Sequence, residues 1–143
     1  MRQGAMNRTG QGEHEERLIR AFVVRSKQER LIELLAKPKR RRDILMTLLH
    51  FHDLDPRSAV HVPSAQQSSS EILKLLRARG APADCYIVSE KRDLDGQTLA
   101  LEEALDAVVG RGMGTLLSCI PGRLGYFEGE VPGRRYVLER AAA

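Results

Sequence analysis

A chain of 143 residues in which 42% of side chains are hydrophobic and 29% charged is long enough to bury the core of one domain without disulfide staples. It has no apolar run near the roughly 18 residues of a membrane helix, and MRQGAMNRTGQGEHEE lacks the apolar stretch of a signal peptide; a cytoplasmic protein that engages no membrane is the expectation. The net charge of +4 is uneven, because residues 17–42 hold ten Lys and Arg against Glu29 and Glu33 while residues 84–143 are mildly acidic.

Residues 1–16 mix Gly, Gln, Asn, Arg and Glu without apolar periodicity, which predicts a flexible tail ahead of one domain over 17–140. Ile19–Arg25, IRAFVVR, suits a short strand on β-branched and aromatic content. Ser26 is placed to cap a helix whose apolar face is Leu31, Ile32, Leu34 and Leu35. Pro38 ends that helix and is comfortable in the first turn of the next, which carries Ile44, Leu45, Leu48 and Leu49 as a stripe. Two helices joined this tightly predict an N-terminal helical hairpin. DLDPR over 53–57 turns the chain, and Val60–Val62 is a short candidate strand. Ser68 with Glu71 three residues on is a capping box for a helix that Gly80 terminates.

The first part of the domain, 17–80, is therefore mainly helical, and 83–140 is sheet-rich. Ala83–Glu90, ADCYIVSE, is a strand; an Asp95-Gly96 turn follows, then an amphipathic helix over Leu101–Val109. Gly114–Arg140 contains three short strands separated by two turns that each hold Pro-Gly-Arg, the pattern of an antiparallel meander. The fold class expected is α+β, with an antiparallel sheet of four to five strands, a C-terminal meander and helices mainly on one face. Alternation puts Leu124, Tyr126 and Glu128 on one side of the middle strand and Gly125, Phe127 and Gly129 on the other, the glycines leaving space for a close core contact.

The strongest functional signal is Lys37-Pro38-Lys39-Arg40-Arg41-Arg42. A helix start is already partly positive, so local stability does not explain cations there. Lys37, Lys39, Arg40, Arg41 and Arg42, extended by Arg25, Lys27 and Arg30, make a candidate anion-binding or partner-binding surface for nucleic acid or an acidic protein. The segment has no base-stacking aromatics, which argues against the usual readers of single-stranded RNA. A charged run that simply meets solvent is the plain counter-reading, with Glu33 and Asp43 as local partners.

Other candidates are weaker. His50, His52 and His61 invite a metal reading, but on a helix His50 and His52 point about 200° apart, so no metal is expected. KRDLDGQTLALE over 91–102 resembles part of a calcium-binding loop, yet Lys91 stands where the first carboxylate belongs, and an Asp-Gly turn explains it better. Ser118 and Cys119 have no nucleophile-elbow pattern around them, and no complete catalytic set or cofactor motif appears. Cys85 and Cys119 are expected as free thiols, and whether their strands are neighbours is beyond the pattern. The leading expectation is a small binding or regulatory domain acting through its basic hairpin. The alternative is an enzyme or ligand-binding protein using an open sheet face with Cys119, Tyr126, Glu90 and Arg123; oligomerisation through a strand edge or apolar helix face is the third.

Overall fold

The structure is a computed structural model that describes residues 2–130 and 133–140, with side chains from Gln11 onward. An antiparallel sheet is the middle layer. Its strands are β1 (Ala59–His61), β2 (Asp84–Ser89), β3 (Thr98–Ala100), β4 (Thr115–Ile120), β5 (Leu124–Glu128) and β6 (Arg135–Glu139), in the spatial order β1-β6-β5-β4-β2-β3. The α+β class and the meander β4-β5-β6 agree with the sequence pattern. Gly122 has φ 74° in the first of its turns and Gly133 φ 94° in the second, the left-handed conformation that glycine adopts most freely; Pro132 lies outside the described residues.

The sheet has six strands among the described residues, not four or five. The additional short edge is β3, which follows the Asp-Gly turn and pairs with β2 through Cys85 opposite Leu99. Three residues are too few to show alternation.

Helices cover both faces, which corrects the expectation of one. α4 (Ser69–Ala78) and α5 (Leu101–Val108) lie on one side, where Ile72, Leu76, Leu101 and Leu105 pack with Ile87, Leu117, Tyr126 and Val137. α1 (Arg2–Phe22), α2 (Arg25–Leu35) and α3 (Pro38–Leu45) cover the other, where Leu18, Phe22, Leu35 and Leu48 pack with Val88, Leu116, Phe127 and Leu138. Full burial of a side chain of this kind contributes about 1.5–3 kcal/mol, and two such layers explain why all five residues of β5 are buried. The near-continuous apolar runs CYIV and TLLSCI are the sequence mark of strands covered on both sides.

The expected tail over 1–16 and the strand over 19–25 are replaced by one helix, α1, running from Arg2 to Phe22. Leu18, Ile19 and Phe22 are each about 1% exposed; their i, i+1, i+4 spacing turns them together onto the sheet, so burial outweighs the β-propensity of IRAFVV. Only Val23 keeps a strand-like contact, a bridge to Leu54. α2 begins at Arg25 without a side-chain cap, so Ser26 is not its cap. Pro38 does open α3, but that helix stops at Leu45 and Leu48–His50 forms a separate 3-10 turn. The cap at Ser68 is present, its Oγ accepting from Glu71 N–H at 3.2 Å.

Candidate functional site on the helical layer

The five cations of the basic run do not share one surface. Lys37 precedes α3 and donates to Glu33 Oε1 at 3.1 Å. Lys39 and Arg40 are exposed on its first turn. Arg41 and Arg42 face the protein, Arg42 Nη1 donating to the carbonyl of Glu90 at 2.6 Å. The extension of the patch fails for a geometric reason: Lys27 and Arg30 stand beside Thr47, Phe51 and Asp53, past the C-terminal end of α3, whereas Lys39 and Arg40 occupy its start.

Arg41 is the centre of a partly buried ionic network whose members line a cleft. Its Nε donates to Asp95 Oδ2 at 2.9 Å, its Nη1 to Glu15 Oε1 at 2.7 Å and Leu35 O at 3.2 Å, and its Nη2 to Glu15 Oε2 and Asp95 Oδ1, both at 2.8 Å. The planar five-donor fork of arginine suits two carboxylates at once. Tyr86 donates its hydroxyl to Glu15 Oε2 at 2.5 Å, and Ser89 N–H donates to Asp95 Oδ1 at 3.1 Å. Burial works against the charge on Arg41, yet its hydrogen bonds to Asp95 and Glu15 prevail and hold the guanidinium pKa above its ordinary value. The network ties α1, α3 and the turn after β2 together, and its members satisfy one another. A cleft of about 290 Å³ opens beside it, lined by Gln11, Gly12, Leu35, Pro38, Gly96 and Gln97 among others.

On the same face His14 stacks on Tyr86, ring centroids 4.7 Å apart, with its Nε2 3.2 Å from Ser118 Oγ. Burial lowers the His14 pKa against the opposing pull of Glu15. The histidine beside Ser118 is thus none of the three singled out from sequence. Ser118 is 1% exposed, closed off from a substrate. His50 pairs with Glu130 Oε2 at 2.9 Å, and His61 Nε2 meets the carbonyl of Gly133.

Among the described residues, those of the alternative expectation do not share an open sheet face, and Arg123 is exposed in the turn between β4 and β5. Cys119 and Tyr126 lie under α4 and α5, and Glu90 accepts from Gly114 N–H at 2.7 Å. Tyr126 instead joins a buried polar cluster. It donates to Glu128 Oε1 at 2.5 Å, while Glu128 also accepts from Gly110 N–H at 2.9 Å and Arg135 Nε at 3.1 Å. Burial, then the Glu128 charge, raises the Tyr126 pKa. A fully hydrogen-bonded cluster of this kind fixes the packing of a core.

A groove of about 330 Å³ lies between α2 and α3. Leu31, Leu34, Ile44 and Phe51 form its apolar lining, and Lys27 and Arg30 are exposed at its rim, with Asp53 at one end. Comparison with known proteins finds no matching family model, curated protein or solved structure. Among the described residues no helix is long and apolar enough to cross a membrane.

The sequence pattern marked the α2 and α3 apolar stripes without separating their buried from their exposed members; Leu34 and Ile44 are only half-buried. It missed Glu15 and His14 because both lie in a segment of tail-like composition. The available signal was Glu15, Leu18, Ile19 and Phe22 at helical spacing.

Proposed function

We propose that the protein is a binding module whose α2–α3 groove takes an acidic, amphipathic segment of a partner protein. One observation carries this reading: an apolar groove between two helices whose exposed rim charges are Lys27 and Arg30. Apolar side chains on one face of the incoming segment fill the space over Leu31, Leu34, Ile44 and Phe51, and flanking Asp or Glu meet the rim. An acidic protein is favoured over nucleic acid because Phe51 is the single aromatic side chain of the lining, and because exposed Glu13, Glu16, Glu29, Glu33 and Asp43 interrupt the cations of this layer. Lys37, Lys39 and Arg40 lie toward the other end of the hairpin and contribute long-range attraction rather than contact.

Fluorescence anisotropy with a labelled helical peptide bearing an apolar face and Glu flanks, at two salt concentrations, tests the proposal. Binding that weakens with salt is expected, and Lys27→Glu with Arg30→Glu should weaken it at least about tenfold. Leu34→Asp should abolish it. Equal binding by these variants, or tighter binding of duplex DNA than of the peptide, would overturn the reading.

A further inference from the structure

β2 and β4 run antiparallel with Tyr86 opposite Ser118 and Ile87 opposite Leu117. Continuing that register by one residue sets Cys85 opposite Cys119. The hydrogen bonds identify the type of pair. Glu90 N–H donates to Gly114 O at 3.1 Å, so even-numbered residues of this strand bond toward β4; Ile87 bonds the other way, its N–H to Gln97 O at 2.9 Å and its carbonyl to Gly96 N–H at 2.8 Å. Cys85 shares the parity of Ile87, which makes Cys85 and Cys119 a non-hydrogen-bonded pair. Such pairs place Cα atoms about 4.5 Å apart with their side chains at closest approach, inside the roughly 4.4–6.8 Å that a disulfide spans.

Two further observations agree. Both thiols enter the same core cluster beneath α4 and α5. The pairing of β4 with β5 also shifts register between Ser118 and Ile120. Cys119 is the residue at that shift.

We propose that Cys85 and Cys119 form an oxidation site that closes into an intramolecular cross-strand disulfide. With hydrogen peroxide as oxidant, one thiolate attacks a peroxide oxygen, the O–O bond breaks, and a sulfenic acid and hydroxide form. The second thiolate attacks the sulfenic sulfur, the S–O bond breaks, and a second hydroxide leaves. The two thiol protons convert both hydroxides to water, so two thiols lose two electrons and one peroxide gains them. The residues are 2% and 5% exposed, which leaves no room for a bulky adduct and makes the internal disulfide the product that fits. Burial pushes both thiols up to about 12, so the reduced pair reacts slowly at neutral pH and local opening controls the rate.

The test compares the dithiol–disulfide equilibrium of the full chain in glutathione redox buffers, folded and in denaturing urea. The folded chain should favour the disulfide by at least about a hundredfold more than the unfolded one. Non-reducing peptide maps should join Cys85 to Cys119, and peroxide treatment should lower the intact mass by two hydrogens, reversibly with dithiothreitol. Cys85→Ser should remove that product. An equal or smaller preference in the folded chain, or glutathione adducts or cross-linked dimers as the main product, would overturn the proposal.

Discussion

Arg40 and Arg41 are neighbours on one helix, separated by about 100° of rotation, and that rotation decides what each does. Arg40 meets solvent, while Arg41 bridges Glu15 and Asp95. Replacing Arg41 by Met leaves Glu15 and Asp95 without their shared cation at the edge of a cleft, and a loss of about 1–3 kcal/mol in unfolding free energy is expected. Arg40→Met should change it by less than about 0.5 kcal/mol; urea titration of the two variants checks the contrast. His14 gives a pH signature. Its folded pKa is lowered by burial, with Glu15 and Glu13 pulling upward and Arg17 reinforcing the drop. The unfolded chain therefore takes up a proton near pH 6.5 that the folded chain refuses, so this residue's contribution is complete above that pH and shrinks as pH falls through it. His14→Gln should flatten the decline of Tm just below about pH 6.5, measured by calorimetry across pH 5 to 8.

At the scale of elements, the start of β4 is pressed against the 3-10 turn Leu48–His50. A Cβ on Gly114 would lie 2.5 Å from the carbonyl carbon of Leu48 and 2.7 Å from its Cβ, with the backbone nitrogen of Leu49 closer still. Backbone cannot swing aside as a side chain does, so Gly114→Ala should cost about 2–3 kcal/mol. Gly112→Ala, with nothing near its Cβ but φ 71°, should lose only about 1 kcal/mol through backbone strain; denaturant midpoints separate the two. A Cβ on Gly129 would lie 2.6 Å from Phe127 Cε2 and one on Gly125 2.5 Å from the carbonyl oxygen of Leu117, which accounts for the glycines flanking Phe127 as packing. The meander was legible because turn chemistry and alternation act over a few residues. The helix at the N-terminus was not, because RQGAMNRTGQGEHEE has little helical bias of its own and its later turns are held by Tyr86, Arg41 and Asp95, far along the chain.

For the whole molecule, the two-sided cover of the sheet determines where function has room. Each face is occupied by helices, and the polar side chains drawn into those layers, Glu15 with Arg41 on one and Glu128 with Arg135 on the other, are paired internally. Residue types announced the basic character of 17–42 correctly, but not that its two innermost arginines serve the fold. That distinction depends on partners at 15, 90 and 95, which no local pattern reveals. The outer surface of the helical layer carries the α2–α3 groove, where an apolar lining meets the exposed Lys27 and Arg30.

The order β1-β6-β5-β4-β2-β3 places the sixth strand between the first strand and the remainder. β1 meets the rest of the sheet through β6, with Ala59 opposite Leu138 and His61 opposite Tyr136. This is the pairing with the greatest sequence separation in the sheet, and closing so long a loop costs more entropy than closing any of the hairpins.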